Sequence, residues 1–149
     1  MSKTEKEKML AGELYRADSP EIQADQAAAM AWLARYNAAI GHGNDVRHAL
    51  LCERFASVGA GAAIRPPFHC DYGYNIRLGD GVFLNFGCVF LDSILIEVGA
   101  GTQIGPCVQI YGADHTRDPA QRRAGHPWPG ARVSARPCRR GGFPARTAG

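Results

Sequence analysis

The chain has 149 residues, 46% of them apolar, with 17 Lys/Arg against 14 Asp/Glu. That suffices for one domain with a real core, and no continuous apolar run approaches the ~18 residues of a transmembrane helix, so none is expected. The net charge of +3 is uneven: residues 1–125 hold 12 basic and 14 acidic side chains, whereas 126–149 hold five arginines and no acid. Basicity is therefore a property of the tail, and no nucleic-acid or membrane partner is expected from it. The N-terminus, MSKTEKEKML, is too charged for a secretory signal. Five cysteines, an odd number with no CxxC pair, suggest free thiols in a cytoplasmic protein.

Residues 4–57 are expected to be a helical cap. Thr4 followed by Glu7 makes a capping box before KMLAGELY. Ser19-Pro20 supplies a second start, with serine as N-cap and proline at the first helical position. Ile22, Ala29, Met30, Leu33 and Tyr36 then recur at helical spacing, up to a break at Gly41-His42-Gly43-Asn44. A third helix is expected through Val46, Leu50, Leu51 and Phe55, and packing is the role assigned to all these apolar side chains.

Residues 58–125 follow another rule. Apolar residues recur every six positions as Val58, Ile64, Cys70 and Ile76, shift by two, recur as Leu78, Leu84, Phe90 and Ile96, shift again, and end as Val98, Ile104 and Ile110. Glycine follows at Gly59, Gly79, Gly99 and Gly105, and small residues stand four places on, at Ala62, Cys88 and Thr102. Period six belongs to hexapeptide parallel β-helices, in which three short strands close a triangular coil of about 18 residues. Glycine is expected where a turn needs conformations that a Cβ penalises. Cys70 and Cys88, 18 residues apart, are expected to stack inside such a prism rather than bind metal.

The tail, 126–149, loses the period and consists mostly of Arg, Pro, Gly and Ala. It is expected to be disordered, or to arise from a frameshift or truncation near residue 125.

Four stretches carry a resemblance: EKEKMLAGELYRADSPE at 5–21, CDYGYNI at 70–76, FLNFGCVFLD at 83–92 and YGADHTRDP at 111–119. In this order they resemble the maltose O-acetyltransferase family, whose wider group includes galactoside and nodulation-factor acetyltransferases. The resemblance spans about residues 3–125. It implies a mainly β fold, a left-handed parallel β-helix of hexapeptide repeats behind an N-terminal α-helical cap, assembled as a homotrimer. It also implies acetyl transfer from acetyl-CoA, a co-substrate and not a permanently bound cofactor, to a sugar hydroxyl such as that of maltose or glucose.

In this motif the family's histidine is the catalytic base, a role that falls on His115. An alcohol attacking a thioester must lose its proton as the bond forms, and imidazole titrates near neutral pH. Asn85 matches an asparagine of the substrate and cofactor pocket; the other reading is an asparagine ladder along a turn. Asp71 and Asp92 match positions that contact the acceptor sugar, since carboxylates accept strong hydrogen bonds from hydroxyls, or they cap turns at the coil corners. Asp18 matches a cap residue that reaches the acceptor. Tyr72, Tyr74 and Phe83 either stack on a sugar face or pack in the core. Two departures stand out: Thr116 replaces the proline that commonly follows the histidine, and the coils that build much of the CoA groove have no counterpart after Gly125. An inactive β-helix remnant is the alternative function. A zinc site is not expected, because the repeat region offers only His69 and His115.

Overall fold

The computed structural model describes residues 2–115, 117–124, 127–129 and 133–135. The cap consists of α1 (Glu5–Leu10), α2 (Pro20–Ala38), a single 3-10 turn (Ala39–Gly41) and α3 (Asn44–Arg54). The Thr4 capping box forms in both directions: Thr4 Oγ1 accepts from the Glu7 amide at 3.2 Å, and Glu7 Oε2 from the Thr4 amide at 2.7 Å. At Ser19 the expectation is only half met. The residue occupies the N-cap position, with Pro20 behind it, but its hydroxyl makes no capping bond and is buried without a partner. The buried face of α2 is Ile22, Ala29, Trp32 and Tyr36; Met30, expected inside, is 70% exposed.

The repeat region forms three parallel sheets. The first orders β1 (Ser57–Val58), β4 (Ile76–Leu78), β7 (Ile96–Val98) and β12 (Val133–Ala135); the second β2 (Ala63–Ile64), β5 (Phe83–Leu84) and β8 (Gln103–Ile104); the third β3 (Phe68–Cys70), β6 (Cys88–Leu91) and β9 (Gln109–Tyr111). Ser57 pairs with Arg77, Phe83 with Gln103 and Phe68 with Cys88. The coil is therefore 20 residues long, not 18. Cys88 stacks on Phe68 and Phe90 on Cys70, so the expected stacking of the two cysteines is corrected.

The extra two residues fall at one corner. Leu78, Leu84 and Phe90 keep the six-residue step, and the slip lies between Phe90 and Val98, in the turn joining the third sheet to the first. The glycines also divide their work differently from the sequence expectation. Gly59 and Gly79 have ordinary φ, but a Cβ on either would lie 2.3–2.5 Å from backbone of the next coil. The left-handed conformation belongs to Gly61, Gly81 and Gly101, two residues further along each corner.

A single apolar core runs through the prism into the cap, from Ile64, Ile76, Leu84, Phe90 and Ile96 to Phe55, Leu51, Trp32 and Tyr36. Aromatic rings bridge the junction: Trp32 lies 5.0 Å from Tyr36 and 5.6 Å from Phe55, Phe55 lies 5.9 Å from Phe68, and Phe68 meets Phe90 edge-on at 5.5 Å. The first coil has an open edge, and α2 closes it. Asn37 donates from Nδ2 to the Phe68 carbonyl and accepts at Oδ1 from the Phe68 amide, both at 2.9 Å, as a neighbouring strand would do. The Tyr36 hydroxyl donates to the Ile64 carbonyl at 2.8 Å. Asn37→Ala leaves both Phe68 groups unpaired against an apolar wall and is expected to cost about 2 kcal/mol. Urea midpoints measure this; an unchanged midpoint removes Asn37 from the closure.

After β9 the chain leaves the prism as β10 (Ala113–His115), α4 (Pro119–Arg123) and β11 (Pro127–Pro129), the last antiparallel to β10. It returns as β12, in parallel register with β7. Of the tail, expected to be disordered or out of frame, residues 127–129 and 133–135 are strands; its other residues lie outside the described ones. Among the described residues no helix is long and apolar enough to cross a membrane.

Candidate active site

The corner with the two extra residues builds a cleft. Its floor is the turn at Asp71 and Tyr72 and the turn above it at Leu91 and Ser93; one wall is Tyr15, Ala17 and Gln26 from the cap; the other is Ala113, His115 and Arg122 from the excursion. The volume is about 470 Å³, within the usual range for a small-molecule site of roughly 300–1,000 Å³.

The turn owes its shape to Asp92. This side chain is fully buried, and its carboxylate accepts four backbone amides of the preceding coil: Asp71 at 3.0 Å and Tyr72 at 2.9 Å on Oδ1, Gly73 at 2.7 Å and Asn75 at 3.3 Å on Oδ2. Asn75 answers by donating from Nδ2 to the Asp92 carbonyl at 2.7 Å. Burial pushes the Asp92 carboxyl up to about 7, with Asp71 adding to the rise, while the amides of Tyr72, Gly73 and Asn75 pull against it. Direct contact between Asp92 and a sugar is thus replaced by the other reading, a corner cap. Gly73 is held at φ +83°, and a Cβ there would strike Arg54, whose guanidinium donates to the carbonyls of Tyr72 and Asp25.

Asp71, by contrast, faces the cleft, half-buried, with its carboxyl raised by burial. His115 lies opposite with an exposed side chain, on a strand whose amide is fastened to Asp114 Oδ1 at 2.7 Å. Tyr15 is buried against this floor, with its phenol close to Ser93 and Tyr72. Burial raises that phenol above its ordinary range, so it stays protonated and able to donate.

Two expected site residues stand elsewhere. Asp18 points outward and takes both Arg16 Nε, at 3.1 Å, and Nη2, at 2.8 Å; its neighbours Tyr15 and Ala17 line the cleft instead. Asn85 sits at a different corner, after the second sheet, where its Oδ1 accepts from Arg65 Nη1 at 3.2 Å and from the Phe86 amide at 2.9 Å. Tyr72 and Tyr74 stack on each other at 5.4 Å as part of the cap–prism packing, and the Tyr74 hydroxyl donates to Asp25 at 2.9 Å. Asp25 also pairs with Lys6 at 2.7 Å; burial opposes its charge, but Lys6 and Tyr74 outweigh it and hold the carboxyl below its usual range. Tyr15, Gln26, Ser93 and Arg122 were not singled out by the sequence reading. Ser93 adjoins Asp92, and Tyr15 lies within the 5–21 stretch, so position within the motif was the available signal. Among the described residues no group of three or more His, Cys, Asp or Glu is arranged to hold a metal ion.

A prism of six-residue repeats behind a helical cap is the architecture of solved hexapeptide-repeat acetyltransferases. The maltose acetyltransferase hexapeptide capping motif matches residues 8–59. Nodulation protein L of Rhizobium meliloti (strain 1021) is 58% identical over 125 residues, which is 84% of this chain and 68% of that protein. Among solved structures, a maltose O-acetyltransferase from Clostridium difficile 630 is 32% identical with a TM-score of 0.83, covering 92% of this chain and 79% of its own. A hexapeptide-repeat-containing acetyltransferase from Vibrio cholerae O1 biovar eltor, complexed with acetyl coenzyme A, is 33% identical with a TM-score of 0.75, covering 91% and 79%. The chain belongs to the hexapeptide-repeat sugar O-acetyltransferase family. It spans about two thirds of the length of the curated relatives it matches.

Proposed function

We propose that this chain transfers the acetyl group of acetyl-CoA to a sugar hydroxyl, with His115 as general base. The observation that carries the reading is the convergence of His115 and Asp71 on one cleft in a chain of this family. The imidazole takes the proton of the acceptor hydroxyl as its oxygen attacks the thioester carbonyl. The tetrahedral intermediate then breaks its C–S bond, and the proton passes to the departing CoA sulfur. Asp71 accepts from the sugar hydroxyls, and Tyr15 supplies a neutral donor beside them.

The same reading takes the coil as left-handed, the protein as cytoplasmic and the assembly as a homotrimer. Phe86, next to Asn85, and Val108 are 42% and 37% exposed and supply apolar surface for a trimer to cover. Asn85 would then act in acetyl-CoA or acceptor binding across that contact, not in its own chain's cleft. Incubation with acetyl-CoA and a panel of maltose, glucose and galactosides tests the function. The expected result is sugar-dependent release of CoA thiol together with acetylated sugar in the mass spectrum. Absence of both leaves the structural alternative standing. Replacing Asp71 with Asn is expected to raise KM for the sugar about tenfold while KM for acetyl-CoA stays unchanged; equal effects on both would remove Asp71 from the acceptor side.

A further inference from the structure

On the far side of the cap, α3 carries a second arrangement of reactive groups. His48 and Cys52 stand one turn apart, so their side chains share a face. Cys52 Sγ lies 3.6 Å from His48 Nδ1, and the other ring nitrogen, Nε2, lies 3.1 Å from the Gly59 carbonyl oxygen. A carbonyl can only accept, so Nε2 carries the proton. The tautomer is thereby fixed with the Nδ1 lone pair turned to the thiol. The thiol is exposed. His48 also lines a groove of about 290 Å³ with Asn44, Asp45, Gly61 and Ala62, so the imidazole is within reach of solvent.

The charged groups around the pair are Asp45, one turn before His48, and Asp80, whose Oδ1 accepts from the Ala60 amide beside Gly59. Glu53, next to Cys52, is engaged by Arg35 at 2.6 Å. The His48 imidazole is the base in contact with the thiol.

We propose that Cys52 is a modification site, a thiol activated by His48 for exchange with low-molecular-weight disulfides. The Cys52 proton moves to His48 Nδ1, and the thiolate attacks one sulfur of the disulfide. The S–S bond breaks, Cys52 is oxidised into a mixed disulfide, and the other half leaves as the reduced thiol, carrying off the proton. The other described cysteines lack this arrangement. Cys70 and Cys88 are raised by burial, and Cys107, exposed beside Val108, has no imidazole in hydrogen-bond contact.

The test uses substoichiometric 2,2′-dithiodipyridine on the whole chain, with the modified peptides quantified by mass spectrometry from pH 5 to 9. Cys52 is expected to react about tenfold faster near pH 6.5 than the thiol of free glutathione measured alongside. His48→Gln keeps a donor for the Gly59 carbonyl but no base; it is expected to bring the Cys52 rate down to that of glutathione. Equal rates at Cys52 of the unaltered protein and at glutathione overturn the proposal, whether or not the variant folds. So does a Cys52 profile that His48→Gln leaves in place.

Discussion

Replacing His115 by alanine is expected to lower kcat for sugar acetylation by a factor of about 10²–10⁴, the span attributed to a positioned general base, and to leave both KM values within about threefold. The side chain is exposed on β10 and contributes nothing to the prism core, so the folded structure is expected to persist. Steady-state kinetics with acetyl-CoA and the best acceptor from the panel decide the matter, beside circular dichroism of the variant. A kcat within tenfold of the parent protein would falsify the assignment. The base would then have to be sought among the other groups of the cleft.

Asp92→Ala is expected to give the largest loss of stability of any single change at the site, roughly 3–5 kcal/mol. Four amides lose their acceptor at once, and at least those of Tyr72 and Gly73 lie where water cannot easily replace it. Asp92→Asn separates the two halves of the carboxylate. Its amide oxygen can still serve Asp71 and Tyr72, but its NH₂ then faces the amides of Gly73 and Asn75, donor against donor. About half of the alanine cost is expected. Because the same turn presents Asp71 to the cleft, both variants are expected to raise the acceptor KM before the protein unfolds. Urea titration and acceptor kinetics on the same samples check the coupling. A stable Asp92→Ala protein with altered kinetics would return Asp92 to the list of direct sugar contacts.

The repeat was legible because an inward side chain every sixth residue leaves a mark on composition that no helix or isolated strand produces. The two-residue slips were visible as well: Ile76 to Leu78 and Ile96 to Val98 are pairs of inward residues on one strand. What those slips mean, a longer coil with its surplus at one corner, depends on which strands pair, and pairing is a long-range fact. The aspartates show the same limit. Asp71 and Asp92 look alike in sequence, each following a strand of the third sheet. One carboxylate meets the amides of the coil before it and is buried, and the other meets the cleft. Asn85 was legible as a polar corner residue, but its separation from His115 around the prism was not. Asp18 shows how local competition decides: Arg16, two residues away, takes the carboxylate that the motif had assigned to the acceptor.

The surplus at the cleft corner has a consequence for how the family can vary. The second sheet and its two corners hold a six-residue step with small or glycine residues in contact with the next coil, so an inserted residue there would throw every later inward side chain out of phase. The remaining corner is already off that step. It accommodates a two-residue turn extension in two coils and, in the third, an excursion that includes β10, α4 and β11, and the first sheet still resumes in register afterwards. The edge that carries the cleft is thus uncoupled in length from the prism. Lengthening or trimming it alters what the cleft admits without disturbing the scaffold that holds it.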